Sequence, residues 1–128
     1  MGNINNEMKK LLSETDIWVL ATSGIDGMPN AVPIFFTKVM DDNRLMLVDN
    51  FMKKTLSNIQ ANPKVSVSVW NNKTGFQFKG AARIETSGAN FDAGKEMVKE
   101  GNPKGVVIVD IESIYITSPG PNAGNKVD

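Results

Sequence analysis

Residues 53–55 read Lys-Lys-Thr and open the helical pattern KKTLSNIQ, which the pair Asn62-Pro63 stops. The start of a helix carries unpaired N–H groups and the positive end of the macrodipole. Two cations placed there oppose that dipole unless something negative stands in front of them. A phosphate suits the place: it accepts from the free N–H groups and the Thr55 hydroxyl, and it pairs with the ammonium groups of Lys53 and Lys54. The plainer reading is a solvated helix end with two surface lysines. The motif alone leaves both readings open.

The residue types that are missing narrow the chemistry further. The chain has no cysteine and no histidine. Thiol catalysis, disulfides, iron–sulfur clusters and cysteine zinc sites are excluded, and so are the Ser–His triad and most transition-metal sites; no metal site is expected. No catalytic side chain can be assigned. A bound organic cofactor is the simplest source of reactivity, because the protein then supplies only position and electrostatics.

The 128 residues fit a single domain, 1–128, and a hydrophobic fraction of 41% supplies a core. A formal net charge of zero argues against nucleic acid as a partner, since phosphate backbones require a basic excess. No apolar run reaches the length of a membrane span. The start, MGNINNEMKK, lacks a signal-peptide layout, and Asn6 breaks the myristoylation pattern. The expected location is the cytoplasm, with no membrane association.

The elements that must position Lys53, Lys54 and Thr55 follow from periodicity. Met8, Leu11 and Leu12 make an amphipathic helix within residues 1–14. IWVLAT is a strand, SGIDGMP a turn, and NAVPIFFTKV a second strand that Pro33 confines to an edge or a bulge. RLMLVD follows the turn Asp41-Asp42-Asn43. KVSVSVW alternates strictly, GFQFKGAARIET is a long strand bent at Gly80, and GVVIVDIESIYIT is the last strand. Phe91, Met97 and Val98 lie on a helix between those two. Residues 118–128 read as a loop or arm. Six strands with tight turns and two or three short helices predict a mainly β fold, a closed antiparallel barrel; a doubly wound sheet would need more crossover helices.

Other candidates carry blander readings. Trp18 and Trp70 are expected in the core or at a subunit interface, with Trp70 a weaker candidate for the ligand site. Asp92, Glu96 and Glu100 fall on an exposed face and receive no chemistry. Tyr115 sits in a strand, where packing is the expected role.

Three stretches, ATSGIDGMPNAVPIFF, LVDNFMKKTLSNIQANPKVSVSVW and GFQFKGAARIE, resemble the FMN-binding split barrels of the pyridoxamine 5'-phosphate oxidase-like superfamily, the small FMN-binding proteins in particular. The resemblance implies a six-stranded Greek-key split barrel and a homodimer with FMN at the interface. It places Val32, Pro33 and Ile34 along the flavin and ribityl chain, Asp49 and Asn50 near the ribityl or phosphate, and Lys53, Lys54 and Thr55 on the phosphate. Family members often carry arginine where Val32 stands, so charge neutralisation would rest on the lysines. The true oxidases use an arginine and a histidine near the C-terminus, whereas this chain ends PNAGNKVD; pyridoxamine phosphate oxidation is not expected. The implied role is a flavin-dependent oxidoreductase or electron-transfer protein. A non-enzymatic flavin carrier or sensor, and a deazaflavin-dependent reductase on the same barrel, are the alternatives. No GxGxxG follows the first strand, so a nicotinamide or other redox partner would bind only transiently. The apolar runs VLAT and GVVIVDI add to the expectation of a dimer.

Overall fold

The computed structural model describes residues 2–127. In chain order the elements are α1 (Asn6–Glu14), β1 (Trp18–Ser23), β2 (Pro29–Ile34), β3 (Thr37–Asp41), β4 (Arg44–Asp49), α2 (Lys54–Ala61), β5 (Lys64–Trp70), β6 (Gly75–Glu85), α3 (Ala89–Met97), β7 (Gly105–Ile116) and β8 (Lys126–Val127). Every strand pairing is antiparallel, and the sheet runs β2-β1-β5-β6-β7-β4-β3, with β8 added beside β7.

That order forces the sheet to curl. β2 and β3 lie at its two ends, about 29 Å apart in a flat sheet at the usual strand spacing. Yet β2 stops at Ile34 and β3 starts at Thr37, and three residues of extended chain span only about 11 Å. The two edges are therefore brought together at Phe35-Phe36. The corner is held where the Val48 N–H donates to the Phe36 carbonyl at 2.9 Å. The barrel is open along this seam, since β2 and β3 share no ladder. The expected closed barrel of six strands is corrected on both counts. NAVPIFFTKV divides into β2 and β3 at the two phenylalanines, because its halves pair with strands at opposite ends of the sheet.

The turn before β2 is built as Gly24 and Asp26-Gly27 suggest. The Met28 N–H donates to Asp26 Oδ1 at 3.1 Å, and Gly27 takes φ +84°, which glycine reaches without a Cβ clash. Pro33 lies on an edge strand, where its missing N–H breaks no central ladder. Gly80 marks a bulge opposite Glu112: a Cβ there would lie 1.9 Å from the Asp110 carbonyl oxygen, so only glycine permits the approach.

Alternation sorts the strands between two cores. Leu20, Leu45, Leu47, Val67, Val69, Phe78, Val107 and Val109 fill the barrel, closed at one end by Met8, Leu11 and Leu12 of α1 and by Trp18. Met46, Val48, Val106 and Ile108 point to the opposite face, where α3 covers them with Phe91 and Met97. β4 and β7 are thus apolar on both faces, which explains the unbroken runs RLMLV and GVVIV within one chain. The GVVIVDI run therefore no longer requires a second subunit.

The C-terminal residues, read as a loop or arm, end in the short strand β8. β4 pairs with β7 only over residues 105–110, leaving the far half of β7 with an open edge. Lys126 and Val127 cover part of it, opposite Tyr115 and Ile114, and Gly75 N–H donates to Ser118 Oγ at 2.8 Å. An uncovered row of strand N–H and C=O groups is a site of unwanted pairing, and the tail shields it. Among the described residues no helix is long and apolar enough to cross a membrane.

Candidate functional site

The curl sets the edge strand β2 against the start of α2. Between them lies a cavity of about 590 Å³, within the usual range for small-molecule sites of about 300–1,000 Å³. Val32, Pro33 and Ile34 line it from β2, Asn50 from the loop, and Lys53, Lys54 and Thr55 from the head of α2. Phe35, Phe36, Val48 and Met52 complete the apolar wall, with Phe51 at the rim. The cavity therefore has an apolar body and a cationic end. An amphipathic ligand with an anionic terminus matches that division.

The polar end is built from α2. The helix runs Lys54–Ala61, so Lys53 is its N-cap rather than its first turn, and no side chain caps it. Its first-turn N–H groups are left for solvent or a ligand. Ile59, 4% exposed, anchors the opposite face in the barrel core, a burial contributing about 2 kcal/mol. Lys53 and Lys54 are exposed, and among the described residues neither forms an ion pair. Thr55 is buried and its Oγ1 accepts from Asn30 Nδ2 at 3.1 Å.

The loop between β4 and α2 is held from below. Asp49 ends β4 fully buried and is absent from the cavity lining, unlike the neighbouring Asn50. Its Oδ1 accepts from the Met52 N–H at 2.8 Å, and its carbonyl accepts from the Lys104 N–H at 2.9 Å. Asp49 thus shapes the loop from behind the wall, which differs from the expected ligand contact. Among the described residues, Asp49 Oδ2 and Asn50 Oδ1 are buried acceptors without a hydrogen-bond partner. Buried polar atoms are rarely left so, and the Asn50 acceptor calls for a ligand hydroxyl or N–H.

The family model of pyridoxamine 5'-phosphate oxidase matches residues 4–118. The chain belongs to that family. An uncharacterized protein of Methanocaldococcus jannaschii is 37% identical over 131 residues, covering 97% of this chain and 87% of that protein. The FMN-binding protein of Nitratidesulfovibrio vulgaris is 30% identical over 94 residues, covering 66% of this chain and 76% of that protein. The crystal structure of HupZ from Group A Streptococcus superposes with a TM-score of 0.85 at 32% identity, covering 94% of this chain and 99% of that one. The curled sheet is the split barrel of this family.

The residues present fit a phosphorylated flavin, on the unpartnered Asn50 acceptor, the uncapped α2 and the lysine pair facing one cavity. Asn30, Phe35, Phe36 and Phe51 were not singled out from the sequence. Asn30 does share the inward alternation of Val32 and Ile34, a signal that could have found it. Trp70 is 56% exposed at the end of β5 and lines no part of the cavity, whereas Trp18 is buried and donates from Nε1 to the Leu12 carbonyl at 3.3 Å. Tyr115 carries Lys79 Nζ 5.0 Å from its ring centroid, a packing contact.

Proposed function

We propose that the cavity binds FMN, with its phosphate at the head of α2 and its apolar ring system along β2. The observation that carries this is the convergence of Lys53, Lys54, Thr55 and the uncapped start of α2 on a cavity walled by an edge strand. Membership of the family supports it, as does the 30% identity to an FMN-binding protein. Bound flavin would supply electron or hydride transfer, which no side chain of this chain can provide. The outer N–H and C=O groups of β2 lack ladder partners and can take the polar edge of a ring. The lysines offset the phosphate charge, and Thr55 donates to it.

The working form in this reading is a cytoplasmic homodimer. Phe35 and Phe51, 61% and 88% exposed, flank the cavity mouth, and a second copy would cover them together with the ligand. Among the described residues, Lys53 and Lys54 are the only titratable side chains in the lining. Protons for any reduced substrate would come from solvent, the substrate or another protein. That favours an electron-transfer protein or flavin carrier, or a reductase needing no acid–base residue, over pyridoxamine phosphate oxidation.

The purified protein should be yellow, and heating should release FMN identifiable by mass, rather than FAD, riboflavin or a deazaflavin. Colourless protein that also fails to bind added FMN would sink the reading. Anaerobic mixing then separates the roles: bleaching by a reduced nicotinamide marks a reductase, and bleaching by pyridoxamine phosphate would overturn the exclusion of oxidase activity.

A further inference from the structure

At the cationic end of the cavity, Thr55 belongs to a polar network whose other members, Thr22, Asn30 and Asn58, have no role above. Thr22 of β1 and Thr55 of α2 are 4% and 2% exposed. Between them sits Asn30, the cross-strand partner of Thr22. Its Nδ2 donates to Thr22 Oγ1 at 3.3 Å and to Thr55 Oγ1 at 3.1 Å. Asn58, one turn along α2 from Thr55, donates from Nδ2 to the same Thr22 Oγ1 at 3.0 Å.

An asparagine amide has two N–H hydrogens, and these two contacts use both of them. Thr55 Oγ1 is consequently an acceptor toward Asn30. Its own proton meets no acceptor among the hydrogen bonds of the described residues. A hydroxyl buried this deeply is costly unless bonded, and the direction left open to it is the cavity that Thr55 lines.

We infer that Asn30 is a positioning residue: by donating to Thr55 Oγ1 it turns the Thr55 proton toward the cavity and sharpens the preference of the polar end for a ligand that carries a phosphate monoester. This rests on the proposed placement of a flavin phosphate at α2. Freed from Asn30, the Thr55 hydroxyl can rotate and offer its lone pairs to the anion, which repels it. Asn30 need not touch the ligand, since both its hydrogens are engaged by threonines. The inference also assigns a reason for a polar residue on the inward face of β2, where Val32 and Ile34 are apolar.

The test is the ratio of FMN to riboflavin affinity, measured by fluorescence titration of the full chain. Lys54→Ala reports on the phosphate placement independently of Asn30. Thr55→Val should lower the ratio about tenfold, and Asn30→Ala about three- to tenfold, the range of one lost hydrogen bond. The double variant should be no worse than Thr55→Val alone, because Asn30 acts through Thr55. Asn30→Asp keeps the shape but can only accept, so it should lower the ratio further than Asn30→Ala, and more with Thr55 present than in the Thr55→Val background. That isosteric variant carries the test if Asn30→Ala does not fold. A ratio that falls with Lys54→Ala but not with either Asn30 variant overturns the inference and leaves the phosphate placement standing. Losses that multiply in the double variant overturn it too. A ratio unmoved by Lys54→Ala removes the placement and the inference together.

Discussion

The heads of α1 and α2 are built in opposite ways. At α1, Asn5 caps the helix by accepting from the Met8 N–H at 2.9 Å, and Glu7 stands in the first turn. Both features complement the free N–H groups and the positive end of the dipole. At α2 no side chain caps the helix and no acid occupies the first turn; Lys53 stands at the N-cap and Lys54 opens the first turn instead. α3 sides with α1 in its charges, with Asp92 in its first turn and Lys95 in its last. The chain thus follows the charge rule at the heads of two helices and reverses it at α2, where the proposed phosphate would sit. The reversal coincides with the cavity, whereas α1 seals the barrel and α3 covers its outer sheet.

This contrast can be broken by substitution. The largest effect on the fold is expected at Gly94 of α3, where an added Cβ would lie 2.4 Å from Val106 Cγ1. Gly94→Leu should destabilise the apo-protein by about 1–3 kcal/mol through overpacking, read from denaturant unfolding, while the FMN-to-riboflavin ratio holds. A change in that ratio would mean that α3 and the site are coupled. Asn5→Ala should cost about 1 kcal/mol through the lost cap. The equivalent truncation at α2, Lys53→Ala, should cost the apo-protein nothing measurable by the same unfolding assay; an equal loss would show that Lys53 also stabilises its helix. The smallest effects carry opposite signs. Lys54→Glu should raise apo stability by about 0.3–1 kcal/mol, and Glu7→Lys should lower it by a similar amount, because each reverses a charge near a positive dipole end. Thermal melts at low ionic strength resolve such shifts, and matching signs would dissolve the comparison.

Much of this architecture was legible from residue order. The strict alternation in KVSVSVW, the spacing of Met8, Leu11 and Leu12, and the irregularity at Gly80 correspond to β5, α1 and the bulge at Glu112 of β7 that Gly80 faces. The division of β2 from β3 was not, because Phe35 and Phe36 continue an apolar run, and only the pairing of its halves with distant strands parts them. β8 was invisible for another reason: two residues are too short for any periodicity, and their partner edge is created by the early end of β4. At the site, the lysines stood out because they break a local rule, and Thr55 because its hydroxyl follows them at a helix start. Asn30 and Asp49 act through contacts 25 residues away and within a turn, respectively. Chain spacing shows that Asp49 precedes the loop but not that its carboxylate faces Met52 rather than the cavity.

The measurement that bears most directly on the site is the affinity of the wild-type chain and of Lys54→Ala for FMN and for riboflavin, taken side by side at low salt. Loss of a charge-assisted hydrogen bond to phosphate is worth roughly 1.5–3 kcal/mol, or about a ten- to hundredfold fall in FMN affinity. Riboflavin, which carries no phosphate, should bind both proteins alike, so the wild-type preference for FMN should collapse in the variant. An FMN-to-riboflavin ratio that is the same in both proteins would contradict the account, because the phosphate would then lie away from α2.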